Sequence, residues 1–375
     1  MSSRVVHIAR PDTGEEEWQA LREPLESGWL TQGPKVAQFE KAFAARHGAK
    51  HAFAATSCTT ALHLILAAME IGPGDEVIVP AFTWIATANV VLYCGATPVF
   101  VDIDPATFNI DPAKIKSRIS KRTRAIIAVH LFGLCADMDA IAAAAPGVPI
   151  IEDAACASGA AYQGRHAGTL GHAAAFSFHP RKSITTGEGG MVTTADAGLA
   201  QRVNSLRNHG AEISEEVRHA AARPYILSDF NLLGFNYRMT DLQGAVGLVQ
   251  LKKLDRYIDE RQRWADYYRR ELSGISWLRL PEVPAGYRHG WQSYVCMVKG
   301  VRNDIMETLL QRGVNTRPGT HAVHLLKYYR ERFGLKPADF PVAREADAQS
   351  MAIPLHNRMA EDDYRHVVRA LREVG

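Results

Sequence analysis

The sequence predicts an α/β protein built on a mainly parallel sheet with helices on both faces. Three observations carry that prediction. Short apolar segments alternate with helical ones from about residue 50 to residue 200, the rhythm of repeated βαβ units. Turn residues separate the segments, as in Gly72-Pro73-Gly74-Asp75. The apolar stretch Ala173 to Phe178 runs into Lys182 and then the glycine cluster Gly187-Glu188-Gly189-Gly190. In α/β folds, strand ends that open into glycine-rich backbone are where working groups sit.

Taken in order, Glu15 to Glu26 reads as a helix, Gly28 to Pro34 as a loop and Val36 to Arg46 as a helix burying Val36, Phe39 and Phe43. His51 to Thr56 is a strand and Thr59 to Met69 a helix with an apolar body. Strands follow at Glu76–Pro80, Pro98–Val101, Ala125–Val129, Pro149–Ile151, Ala173–Phe178 and Gly190–Thr193. Helices fall between them at Thr83–Tyr93, Pro112–Ile119 and Asp137–Ala144. Residues 211 to 233 read as a long loop, which in a compact domain is usually functional. A long helix from Met239 to about Arg270 links to a smaller α/β unit, with a strand at Tyr294–Val298 and helices near 304–312 and 361–372. The expected division is a large domain with its N-terminal arm over 1–250, then linker helix and small domain over 251–375.

The bulk numbers narrow the function. The chain has 375 residues, 47% of them hydrophobic, enough for a large core. Its net charge of +3 and the lack of a dense basic run argue against nucleic acid or a membrane surface as partner. No apolar run reaches the ~18 residues of a membrane span, and the N-terminus has no signal-peptide core. Five scattered cysteines, with no paired Cys-x-x-Cys, predict reduced thiols in a cytoplasmic protein, with no disulfide frame and no metal site.

Several residues carry possible chemistry. Thr56-Ser57-Cys58-Thr59-Thr60 crosses from strand to helix, so it reads either as a plain N-cap or as an anion site at a helix N-terminus. Asp153 ends a buried strand and reads either as a cap or as a charge partner for a protonated ring nitrogen. Trp84 is either core or a stacking face. Ser177 lies five residues before Lys182, and Asn236 opens the long helix. A lysine held half-desolvated at a strand end is a nucleophile for carbonyls. That lysine, a strand-end aspartate, an aromatic face and phosphate donors together suit pyridoxal 5′-phosphate (PLP).

These residues, in this order, resemble the DegT/StrS-type PLP-dependent sugar aminotransferases. The resemblance rests on Thr59-Thr60-Ala61-Leu62-His63, Gly72-Pro73-Gly74-Asp75-Glu76-Val77, Val129-His130-Leu131-Phe132-Gly133, Glu152-Asp153-Ala154-Ala155, the 176–190 stretch, Arg207-Asn208-His209-Gly210 and Gly234-Phe235-Asn236-Tyr237-Arg238-Met239. It implies the aspartate aminotransferase fold (fold type I), with a seven-stranded sheet in the large domain. It implies Lys182 as the Schiff-base lysine and proton shuttle and Asp153 as the pyridine-nitrogen partner. Trp84 would be the stacked ring, Ser57, Cys58, Thr59 and Ser177 phosphate-side residues, and Asn236 a phosphate ligand from the second subunit of a homodimer. Two positions depart from the family pattern. Cys58 stands where glycine is usual, and Cys156 where Gln, Glu or His is usual near the ring hydroxyl. His179, Arg317, His321 and His324 are candidate substrate contacts, with structural roles equally open. The expected reaction moves an amino group from an amino acid, L-glutamate first, to a keto-sugar, usually a nucleotide-linked 4-keto-6-deoxyhexose. Relatives with histidine in place of the lysine are dehydratases, and Lys182 argues against that. A 3-keto or non-nucleotide acceptor, a PLP-binding regulator and a nucleotide-dependent oxidoreductase are the competing readings. The last is disfavoured because no Gly-x-Gly-x-x-Gly opens a helix after a strand.

Overall fold

The computed structural model describes residues 5–212 and 227–374. Seven strands form the central sheet: β1 (His51–Ala55), β2 (Glu76–Pro80), β3 (Thr97–Val101), β4 (Thr123–Val129), β5 (Ile150–Asp153), β6 (Ala173–Ser177) and β7 (Gly190–Thr194). Their order is β1-β7-β6-β5-β4-β2-β3. β7 runs antiparallel to both neighbours, and the other described pairings are parallel.

Side chains alternate across this sheet, and both faces are buried. Val77, Val79, Ile127, Ile151 and Ala175 pack with the Cys58–Ala68 helix on one face. Ile78, Ile126, Ile150, Ala174 and Phe176 pack on the other with Phe39 and Phe43 of the Pro34–His47 helix. A period of two then fixes where the strand ends point. Asp153 follows Ile151 and Ser177 follows Ala175, so both project toward the face of the Cys58–Ala68 helix. Glu152 projects to the opposite face. There it accepts from the amides of Gly168, Leu170 and Gly171 and from Nε2 of buried His130, at 2.7–2.9 Å.

The smaller sheet joins Leu278–Arg279, β8 (Tyr294–Val298), β9 (Ser350–Ile353) and Arg317–Pro318, all antiparallel. The Glu361–Arg372 helix and the C-terminal part of the Asp241–Leu272 helix cover it, with Trp264 stacked on Tyr364 at 3.9 Å. The long helix therefore serves both units, and the expected boundary at 250/251 falls inside it. The N-terminal arm, assigned to the large domain from sequence, pairs Val6 with Val314 of the small unit.

The elements differ from the sequence reading in other places. Glu15–Glu26 divides at Leu21 into Glu15–Ala20 and Arg22–Ser27. Pro112–Ile119 is one α-turn followed by a 3₁₀ turn. Thr83 belongs to a two-residue strand, Phe82–Thr83, and the next helix starts at Ala86. A helix at Ala197–Leu206, capped by Asp196, escaped the sequence reading. Of the expected loop at 211–233, residues 213–226 lie outside the described residues.

Candidate active site

The C-terminal strand ends β5 and β6, the N-terminus of the Cys58–Ala68 helix and a segment of the small unit enclose a cavity of about 490 Å³. Ser57, Cys58, Thr59, Trp84, Asp153, Cys156, Ser177, His179, Lys182, Arg317 and His321 all line it.

The helix N-terminus is built by a reciprocal cap. Ser57 Oγ accepts from the Thr60 amide at 3.1 Å, and the Ser57 amide donates to Thr60 Oγ1 at 2.9 Å. The capping reading of Ser57 therefore holds, and its hydroxyl is committed. The amides of Cys58 and Thr59, first and second in the helix, have no intrahelical acceptor. This terminus sits against the start of β7 because residue 190 is glycine. A Cβ there would lie 2.4 Å from the Ser57 carbonyl carbon and 2.7 Å from the Cys58 nitrogen. Gly190 pairs directly with Ser177, so the Ser177 hydroxyl joins the same corner. Two free amides, the hydroxyls of Thr59 and Ser177 and the positive helix end make a donor set for a phosphate.

Asp153 is buried at 6% exposure. Its Oδ2 accepts from Thr87 Oγ1 at 2.8 Å, and Thr87 is in turn 2.9 Å from Thr83 Oγ1. Its Oδ1 accepts from the Ala155 amide at 3.2 Å. Nothing helical follows it, so the cap reading falls. Cys58 does not present its side chain to the phosphate corner. Its Sγ lies 3.9 Å from Asp153 Oδ1 and 3.5 Å from the Ala175 carbonyl. Burial first, and Asp153 second, push this thiol well above its ordinary range. Trp84 is 56% exposed, which excludes a core role, and it faces His321 at 5.7 Å between rings.

Lys182 Nζ lies 3.2 Å from Cys156 Sγ. The turn that carries the lysine is held by the Lys182 amide donating to the His179 carbonyl at 2.8 Å. The Arg181 amide donates to His179 Nδ1 at 3.2 Å. An amide must donate, so Nδ1 is the acceptor and the neutral ring carries its proton on Nε2. Burial lowers the pKa of His179, which favours that neutral form. His179 thus shapes the lysine turn and keeps one N–H for the cavity.

Two predicted residues do not reach the cavity. His324 is fully buried in the 3₁₀ turn Val323–Leu325, its ring 4.9 Å from that of Phe340. The short turn rotates it away from the wall that His321 faces, so a substrate contact by His324 is corrected to packing. Asn236 is exposed, its backbone bridged to Asn208, and it does not line this chain's own cavity. Sequence reasoning missed Thr83, Thr87, Arg181, Glu188 and Gln292, all but Thr87 on the cavity wall. The segment holding Gln292 is docked by Phe132-Gly133, whose carbonyls accept from the Ser293 and Gly290 amides at 3.2 and 2.7 Å. Gly133 has φ +106°, and a Cβ would meet the Trp291 nitrogen at 2.9 Å.

The profile described as "DegT/DnrJ/EryC1/StrS aminotransferase family" matches residues 11–372. The chain belongs to this family. It is similar to the spore coat polysaccharide biosynthesis protein SpsC of Bacillus subtilis, 43% identical over 97% of this chain and 95% of that protein. It is similar to the GDP-perosamine synthase of Caulobacter vibrioides, 41% identical over 98% of each. Among solved structures, the PLP form of Spr1654 from Streptococcus pneumoniae superimposes with a TM-score of 0.92 at 27% identity, covering 99% of this chain and 98% of that one. Spr1654 is also known in a pyridoxamine phosphate form.

The protein is accordingly a PLP-dependent aminotransferase of fold type I, as the resemblance implied. The regulator and oxidoreductase readings fall with that finding. The cavity fits the cofactor on its own chemistry: an amine, a buried carboxylate, an open indole face and the phosphate corner that Gly190 makes room for. Among the described residues no helix is long and apolar enough to cross a membrane.

Proposed function

We propose that this cavity transfers an amino group from L-glutamate to a nucleotide-linked 4-keto-6-deoxyhexose. Lys182 holds PLP, Asp153 partners its pyridine nitrogen and Trp84 covers its ring. The Cys58 and Thr59 amides, Thr59 and Ser177 take its phosphate, and Cys156 lies on the ring side beside Lys182. Asn236 belongs to the same site in a second copy, so the working unit is a cytoplasmic homodimer with two shared sites. The single observation that carries the reading is that one cavity collects Lys182 and Asp153 beside a helix N-terminus. The similarity to a GDP-perosamine synthase supports the sugar acceptor.

When bound, PLP supplies an electron sink that lets a proton leave the amino-bearing carbon. The residues do the rest. Lys182 Nζ would carry that proton from the donor carbon to the cofactor side, and water would then release the donor as a 2-oxo acid, its nitrogen remaining with the cofactor for the second half. In the second half the same amine runs the shift backwards on the keto-sugar carbon, which ends as C–NH₂. Thr87 and the Ala155 amide hold the Asp153 carboxylate in one orientation. The apolar Leu62, Val129, Leu131 and Phe132 exclude water from the inner wall.

The test is direct. PLP-loaded protein, L-glutamate and a panel of nucleotide-linked keto-sugars are mixed, and products are weighed by mass spectrometry. Conversion of a ketone to an amine in one nucleotide sugar, with 2-oxoglutarate released, is the expected result. Amination only of free sugars or cyclitols would overturn the acceptor.

A further inference from the structure

Cys156 takes no step in the reaction above, yet it sets a thiol against the lysine amine. Its Sγ lies 3.2 Å from Lys182 Nζ, and both residues line the cavity. The backbone imposes this pairing. β5 and β6 are parallel neighbours in the sheet, so the chain leaves both at the same end. Each exit is a tight turn. The Ala157 amide donates to the Ala154 carbonyl at 2.9 Å, and the Lys182 amide donates to the His179 carbonyl at 2.8 Å. The first turn carries Cys156 and the second ends in Lys182. The Ala154 amide also ties the first turn back to β6, donating to the Ala175 carbonyl at 2.9 Å.

Its setting separates Cys156 from the other cysteines. Cys58, Cys135 and Cys296 are buried, and Cys94 is half-buried off the cavity wall. Burial pushes all four of those thiols up, which slows their reaction with oxidants. Cys58 also borders the cavity, but its Sγ is turned to Asp153 Oδ1 and the Ala175 carbonyl. Cys156 is half-buried on the wall of a cavity of about 490 Å³, which has ample room for a peroxide molecule. It also has a nitrogen nucleophile in reach, on a flexible four-carbon stem that can close the remaining gap.

Oxidation can join a thiol and an amine held this way. Hydrogen peroxide passes one oxygen to Sγ, so the thiol becomes a sulfenic acid and the peroxide leaves as water. The neutral lysine amine then attacks Sγ. The N–S bond forms, the S–O bond breaks, and the hydroxyl departs as water with a proton from the nitrogen. In sum, one thiol, one amine and one peroxide become one sulfenamide and two waters, the sulfur losing the two electrons that the peroxide gains. A small thiol reverses the link. It attacks Sγ and frees the amine, and a second one restores Cys156 while the two reductant thiols leave as a disulfide. A sulfenic acid with no such partner goes on to irreversible oxides.

We propose that Cys156 and Lys182 form a reversible oxidative cross-link, Sγ to Nζ, that locks the cavity under peroxide and spares the thiol from irreversible oxidation. The link and the cofactor compete for the same nitrogen. It therefore forms while Nζ is free, before the cofactor is loaded or after an amino donor has displaced the lysine from it. It is blocked while Nζ is bonded to PLP. This rests on the reading of Lys182 as the residue that holds the cofactor.

The test treats three preparations with hydrogen peroxide: the PLP-loaded protein, the same protein after excess L-glutamate, and protein stripped of cofactor. Peptide mass spectrometry then maps the products. The last two should give a Cys156–Lys182 linked peptide pair, about 2 Da lighter than the two peptides together, and dithiothreitol should separate it. The loaded protein should give little or none. Linked protein should lose the visible band that PLP otherwise produces on addition, and dithiothreitol should restore it. Cys156→Ser should keep after peroxide whatever band it forms before, and Cys94→Ser should link as the wild type does. The proposal is overturned by a Cys58–Cys156 disulfide in place of the link, by Cys156 passing to the sulfonic acid unlinked, or by equal linking in the loaded protein. If the link forms and the band still appears in full, the lock fails and Lys182 does not hold the cofactor. If the stripped protein links but glutamate exposes nothing in the loaded one, the link stands and the transamination reading fails instead.

Discussion

The two walls of the cavity are built on opposite principles. The inner wall is made of strand ends and a helix start, and several of its polar side chains are already held by protein partners. Asp153 is held by Thr87 and Ala155, Ser57 by Thr60, and the lysine turn by His179. The outer wall, Arg181 with Arg317 to His321, is more exposed and its cations have no protein partner among the described residues. The lesson is that a permanent cofactor is met by preorganised groups, whereas two unlike substrates that take turns are met by groups left open.

The largest effect breaks the inner wall. Lys182→Ala removes the residue proposed as both the cofactor's anchor and the proton carrier, so the half-reaction with glutamate should slow by at least about 10³-fold, together with loss of the visible band. Asp153→Asn keeps the shape but removes the charge partner, and should cost about 10²-fold in the same assay while the band persists. Unchanged rates in either variant would mean that the preorganised wall is not where the chemistry is done.

The seam between the walls is the next target. Gly133→Ala places a Cβ against the Trp291 amide at a φ of +106°. Urea denaturation should show a loss of about 1–3 kcal/mol. Substrate KM should rise more than cofactor affinity falls, because the outer wall is what shifts. Equal effects on both would dissolve the distinction.

The smallest effect lies in the packing behind each wall. Burial holds His47, stacked on Phe43 behind the large sheet, down to about 3, and His289, stacked on Trp291, down to about 3. Both are neutral in the folded chain and take up a proton on unfolding below the ordinary histidine value near 6.5. Their contribution is therefore whole above pH 6.5 and is lost as pH falls toward 3. Linkage gives on the order of 1–2 kcal/mol per histidine at pH 5. Thermal melts should fall between pH 7.5 and pH 5, and His289→Gln should flatten that slope. A slope unchanged by the substitution would remove His289 from the account.

The sequence showed more of the inner wall than of the outer one, for a physical reason. Buried strands such as Ala173–Ser177 are apolar throughout, and the residues that end them announce themselves by breaking the run. Lys182, Asp153, Ser177 and Thr59 were legible that way, and motif order then named the cofactor. Thr87 was invisible because a hydroxyl inside an apolar helix looks like any β-branched residue. Its role comes from a pairing 66 residues away in sequence. The outer wall rests on two-residue strands, Phe82–Thr83 against His321–Ala322 and Arg317–Pro318 against β9, too short to leave any periodicity. His321 and His324 illustrate the limit. They are three residues apart in one motif, yet a single 3₁₀ turn sends one to the cavity and the other into the core.

Lys182 is proposed as the residue on which the cofactor is held. Borohydride reduction of the PLP-loaded protein makes the cofactor–lysine bond permanent, and peptide mass spectrometry then locates it. A single pyridoxyl mass is expected on the peptide containing Lys182, absent when L-glutamate is added before reduction. A pyridoxyl mass on any other lysine, or its persistence at Lys182 after excess glutamate, would contradict it.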